Sequence, residues 1–125
     1  IYATLFSISI WASNSCITGQ PVSGSACTDI PKDNIYYLTD FCDASIACSP
    51  YTYATSKCSS EYFAADSQRF GCGAIIKCSR SGKSVNLKVI DFGPNTSVED
   101  AAGKQVIDAS KAACTYLTGD TYGCG

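Results

Sequence analysis

The sequence contains no histidine. It also has no C-x-x-C pair, so a zinc site would need four thiolates at unusual spacings, and no metal or other cofactor is expected. No apolar run approaches the roughly 18 residues that a membrane span needs. Tandem repeats and the strand spacing of a propeller are both missing. The apolar opening "IYATLFSISIW" lacks a basic leader and reads as mature protein, with the alternation of a strand, not as a signal peptide. Residues 67–90 hold Arg69, Lys77, Arg80, Lys83 and Lys88 with no acid and no interleaved aromatic basic-patch pattern. Together with an isoelectric point near 4.8, that argues against a nucleic-acid partner. The basic run reads either as a solvated hairpin or as a rim that meets an anionic polymer such as bacterial wall.

What the chain does have is cysteine, nine in 125 residues. Without imidazole to share a metal, these predict disulfides, an oxidising compartment and a secreted, extracellular protein. The odd count leaves one thiol free or paired outside the chain. Asn95-Thr96-Ser97 is an N-glycosylation acceptor pattern that fits such a setting. The length predicts one domain over 1–125, with a modest core, and a monomer.

Strand signals dominate. In "IYATLFSISIW", Tyr2, Thr4, Phe6, Ile8 and Ile10 share one face by period-two alternation. A Ser-, Gly-, Thr- and Pro-rich stretch from Ala12 to Asp33, carrying Cys16 and Cys27, predicts a stapled loop, and "NIYYLTDFC" predicts a second strand. "SSEYFAADSQRF" reads as a helix capped by Ser59 or Ser60, with Tyr62, Phe63 and Phe70 facing inward. "GCGAIIKCS" and "SVNLKVIDF" form a hairpin around "RSGK". Strict alternation then puts Val85, Leu87, Val89 and Asp91 on one face, with Asp91 in register with the core side. Cys72 and Cys78 would lie about 20 Å apart along one strand. That is too far for a mutual disulfide, so they take different partners.

Thr96 and Glu99 make a capping box for a short helix that Gly103 ends. "QVID" is a brief strand, and Ser110 caps a helix with Ala113, Cys114 and Leu117 on its apolar stripe and Gly119 as its stop. The whole predicts a compact β-barrel with short helices. The phrase "VID" occurs twice, at Val89-Ile90-Asp91 and at Val106-Ile107-Asp108, each time with the carboxylate where an apolar run ends.

The order of these parts resembles the double-psi β-barrel superfamily of rare lipoprotein A, expansins, glycoside hydrolase family 45 and the A-type lytic transglycosylases. Asp91-Phe92-Gly93-Pro94 matches its D-x-G-P turn. Ile107-Asp108-Ala109-Ser110, followed by Lys111-Ala112-Ala113, matches its I-D-L-S entry into an alanine-rich helix. "YFAADSQRFGCGAIIKC" resembles the family 45 segment before a cysteine-bearing strand, and "YATLFS" the first barrel strand. The likeness covers Tyr62 to Leu117 and, more faintly, residues 2–7. It implies a mainly β, six-stranded double-psi barrel with short helices and disulfide-stapled loops.

The resemblance makes Asp108 the proton donor to a glycosidic oxygen, a task for which an aspartate needs a raised pKa. It gives Asp91 either a turn-holding role or one of perturbing Asp108. The family 45 base falls at Ile8 in this chain, so Asp40 in "YYLTDFC" stands as the best substitute. A transglycosylase route needs Asp108 alone, because the sugar's own hydroxyl attacks. Tyr36, Tyr37, Tyr51, Tyr53 and Trp11 are candidates for an aromatic platform under a polysaccharide, or for packing under the stapled loops. The expected activity is cleavage of a β-1,4-linked glycan, peptidoglycan before cellulose. The alternatives are a family 45-like endoglucanase and a non-catalytic barrel, either an expansin-like wall binder or a protease inhibitor.

Overall fold

The computed structural model describes residues 4–9, 30–42, 47–48, 57–121 and 124. Trp11, Tyr51, Tyr53, Cys16 and Cys27 lie outside the described residues, as does most of the stapled loop. The clearest local unit is the hairpin of β4 (Ile75–Arg80) and β5 (Lys83–Asp91). Its two turn residues, Ser81 and Gly82, have φ of 51° and 80°. Two successive positive φ values suit the right-handed twist of the flanking strands, and glycine adopts one of them without steric cost.

Around this hairpin the other strands assemble. β1 (Thr4–Ser9) runs antiparallel to both β4 and β2 (Ile35–Asp40). β2 pairs in parallel with β6 (Val106–Ala109), and β6 meets β3 (Phe63–Ala65) in antiparallel contact. β3 in turn pairs in parallel with β5. The order β1-β2-β6-β3-β5-β4 closes on itself as a barrel. Tyr36, Leu38, Ala64, Ile76, Cys78, Leu87, Val89, Ile107 and Ala109 form the core inside it. Alternation along β2 and β6 puts Tyr36, Leu38, Ile107 and Ala109 on this inner face. Thr39 and Asp108 therefore point the other way.

Among the described residues, three short helices flank the barrel: α1 (Ser67–Phe70), α2 (Thr96–Ala102) and α3 (Lys111–Thr118). The expected helix over "SSEYFAADSQRF" is confined to its last four residues, and Phe63–Ala65 is a strand. All three of those strand residues are buried, so they show no alternation by which a strand is recognised. Tyr62, expected to face inward, is exposed. The cap of α2 is Asn95, which accepts from the amide of Ser97 at 3.0 Å, and not Thr96. Gly103 ends α2, and Ser110 and Gly119 cap α3 as the sequence predicts.

Glu99 is withdrawn from the expected capping box by a stronger partner. Both oxygens of its carboxylate accept from Arg69 Nη2, at 2.6 and 2.8 Å, and Oε2 also accepts from the amide of Val106 at 2.8 Å. Arg69 also pairs with Asp66 and lies over the Tyr36 ring at 5.9 Å. Arg69 and Asp66 have no exposed surface. Isolated buried charges of this kind are costly, and the shared guanidinium offsets that cost. The cluster ties α1 to α2 and to the first residue of β6.

The basic run is thus no continuous rim. Arg69 is in the core, while Arg80 and Lys83 reach the last turn of α3, donating to the carbonyls of Leu117 at 3.3 Å and Tyr116 at 3.2 Å. Cations at a helix C-terminus satisfy carbonyls that have no helical partner. Disulfides join Cys42 to Cys58, Cys48 to Cys72 and Cys114 to Cys124. Cys72 and Cys78 do not pair, as expected, but Cys78 takes no cysteine partner at all and is a buried free thiol. Among the described residues no helix is long and apolar enough to cross a membrane.

Candidate functional site

Two parallel strands deliver the first carboxylate. In the β2–β6 ladder Thr39 is the Cα partner of Asp108. Directly paired residues share a face, and the Thr39 hydroxyl donates to Asp108 Oδ1. Asp108 is half-buried on the outer face, just before Ser110 starts α3. Ser110 fixes that start from both sides: its hydroxyl accepts from the amide of Ala113 and donates to the carbonyl of Glu61 at 2.7 Å.

The D-x-G-P turn supplies the opposite wall. A Cβ built on Gly93 would lie 3.5 Å from Asp108 Oδ2 and 3.8 Å from the Ala65 methyl. Gly93 thus stands in close approach to the second carboxylate oxygen of Asp108. Asp91, two residues earlier, has a different occupation. Its Oδ1 accepts from the amides of Ala47 at 3.0 Å and Phe92 at 2.9 Å. The Cys48–Cys72 disulfide and a bond from the Cys48 amide to the carbonyl of Ile90 hold the same segment against β5.

Asp91 does not continue the core face of β5 as strict alternation requires. Ala64 pairs with Val89 but Ala65 with Asp91, so β5 bulges at Ile90. Ile90 packs with Cys58 and Phe63, and Asp91 is left half-buried. The two "VID" aspartates thus stand in unlike surroundings, Asp91 as the last residue of β5 and Asp108 as the last but one of β6.

Asp40 is not brought to this wall. It follows Thr39 on β2, so alternation turns it away from Asp108, and its Oδ2 accepts from the amide of Cys124 at 3.0 Å. As a stand-in for the missing base it is on the wrong face. Tyr36 is also corrected: it is fully buried between Phe70 and Arg69, where no sugar reaches it. Burial pushes its hydroxyl well above the ordinary tyrosine range. Tyr37 is half-buried and shares the outer face with Thr39.

Sequence reasoning did not identify Thr39 or Gly93 as parts of the site. Thr39 adjoins Asp40 in "YYLTDFC", and Gly93 stands inside the quoted turn, but their neighbour Asp108 emerges only from the fold. Among the described residues no group of three or more Cys, Asp or Glu is arranged to hold a metal ion.

Asp108 thus stands on the outer face of β6, paired with Thr39 and next to the Gly93 turn. A family model described as Lysozyme A matches residues 26–125. The chain belongs to this lysozyme family. Lysozyme A of Dictyostelium discoideum is 46% identical over 107 residues, covering 85% of this chain and 56% of the relative. Lysozyme C of the same organism is 46% identical over 106 residues with the same coverage. Lysozyme D is 45% identical over 82 residues, covering 64% of this chain and 28% of its own length. The chain spans about half the length of the first curated relatives it matches. No solved structure matches.

Proposed function

We propose that the protein is a secreted muramidase-like enzyme that cleaves β-1,4 linkages in peptidoglycan, with Asp108 as the general acid. The observation that carries this reading is the placement of Asp108 on the outer face of β6, bonded through one oxygen to the Thr39 hydroxyl and standing beside the Gly93 turn at the other. Membership of the Lysozyme A family supports the substrate class. We further propose the double-psi form for the barrel, supported by its closure and by the parallel pairs β2–β6 and β3–β5.

In the proposed mechanism Asp108 protonates the glycosidic oxygen as the bond to the sugar's anomeric carbon breaks. Thr39 helps to orient the carboxyl through its bond to Oδ1. Asp91 holds the turn through backbone amides. Tyr37 offers a ring on the same outer face, and Trp11, Tyr51 and Tyr53 remain candidates for the rest of the platform. In the hydrolytic version a water replaces the leaving sugar. In the second version the sugar's own hydroxyl attacks the anomeric carbon and gives its proton to the Asp108 carboxylate left by the first step, yielding an anhydro product.

The test is wall clearing by the Asp108→Asn variant, with mass spectrometry of products from peptidoglycan and from cellulose. Loss of clearing by roughly 10²–10⁴-fold, with the fold intact, is expected. Undiminished clearing sinks the role of Asp108. Reducing-end products identify hydrolysis and anhydro-sugars the internal attack, while product from cellulose alone indicates an endoglucanase. Binding to walls without any product indicates a non-catalytic barrel.

A further inference from the structure

The start of α3 and the segment before β3 border a groove of about 580 Å³, within the range of small-molecule sites. Tyr62 and Tyr116 stand on it with ring centroids 6.1 Å apart and planes at 56°. They are 46% and 42% exposed, an unusual amount of aromatic surface to leave in water. Lys83 braces Tyr116 from the β4–β5 turn: its ammonium lies 5.7 Å from the ring centroid and donates to the Tyr116 carbonyl. The rest of the lining is mostly hydroxyls, from Ser59, Ser60, Thr115 and Thr121, with the ammonium of Lys111 and no carboxylate.

We propose that this groove is a second binding subsite, taking a sugar unit that bears a carboxylate substituent. Six of the eight lining residues carry hydroxyls, which suits a ligand that is itself rich in hydroxyls. An apolar peptide placed there would leave those groups without partners. The tyrosine faces accept the C–H side of a sugar ring, and Lys111 selects an anionic substituent. Lys111 is three residues beyond Asp108, at most about 11 Å of extended chain, so one polymer reaches both places. Glycan held there positions the strand before any bond is broken, which is how remote contacts serve a reacting centre. The proposal rests on the peptidoglycan reading, since that polymer alternates plain and acid-bearing sugars.

The test uses the full chain carrying Asp108→Asn, with Tyr62→Ala, Tyr116→Ala or Lys111→Gln added, and insoluble peptidoglycan or chitin as the probe. Each tyrosine change is expected to weaken wall binding about tenfold. Lys111→Gln is expected to bring wall binding down towards the chitin level. The three residues are on the surface, and thermal unfolding identifies any variant that fails to fold. Thr115→Arg, which fills the groove without touching either ring's own position, then serves as the alternative. Wall binding unchanged in folded variants overturns the subsite, and equal binding to chitin and wall overturns its preference for an acid. If the parent chain releases no product from walls but the tyrosine changes still abolish binding, cleavage fails and the subsite stands. If it releases product and the changes leave binding untouched, the reverse holds.

Discussion

Thr39 and Asp108, 69 residues apart in sequence, are direct partners in the parallel β2–β6 ladder, and the threonine hydroxyl donates to the aspartate. The chain thereby orients an outward carboxyl by a neighbour whose own backbone is fixed in the sheet. Thr39→Val keeps the shape and removes the donor. A hydrogen bond to a charged group is worth about 1.5–3 kcal/mol, so kcat should fall by about tenfold or more while KM changes little. Thr39→Ser should restore most of it. An equal loss in Thr39→Ser and Thr39→Val would mean that packing, not the hydroxyl, matters.

Asp91 and Asp40 invite a contrast with Asp108. Asparagine retains an oxygen that accepts from backbone amides, whereas alanine does not. Asp91→Asn should therefore keep the melting temperature and most wall-clearing activity, while Asp91→Ala should lose about 1–3 kcal/mol of stability. Asp40→Asn should behave like Asp91→Asn, because its observed partner is the amide of Cys124. A hundredfold loss of activity in Asp40→Asn with unchanged melting would restore it as the base.

Stability should depend on pH through the buried cluster. One guanidinium serves two carboxylates, Nη2 donating to both oxygens of Glu99 and Nη1 to Asp66. Burial pushes the Asp66 carboxyl up to about 7 against the pull of Arg69. Between about pH 4 and 7 the folded chain then binds more protons at Asp66 than the unfolded chain, so this contribution to stability falls as pH rises. Melting curves of the parent and of Asp66→Asn across that window check the sign. The parent should lose ground relative to the variant on going up in pH. Glu99→Gln, which removes one partner of the buried guanidinium, should cost about 3–5 kcal/mol.

Cys78 should be inert in the folded protein. It is buried and burial pushes its thiol well above the ordinary range, so almost no thiolate is present to react. Iodoacetamide should leave Cys78 unlabelled under native conditions and label it in denaturant, as read by peptide mapping. Native labelling at Cys78 would show that β4 opens readily.

The parts of the fold legible in the sequence were the local ones. The β4–β5 hairpin was marked by its turn residues, and α3 by Ser110 and Gly119, because caps and turns depend on neighbours in the chain. Phe63–Ala65 escaped because burial of every residue erases the period of two. Glu99 had the spacing of a capping box, yet a guanidinium 30 residues away outcompeted a backbone amide for it. For the site, Asp108 and Asp91 were visible as strand-end acids. The bulge at Ile90 and the turning of Asp40 to the other face depend on pairings between distant strands, which no local pattern reports.

The shared guanidinium of Arg69 has one more consequence. A protein's preferred surroundings are usually sought on its surface, in its net charge. Here an interior with one more acid than base is most at ease where protons are plentiful. The chain's durability should accordingly favour the acid end of the window in which Asp66 titrates, and it would owe nothing to the glycan the protein meets.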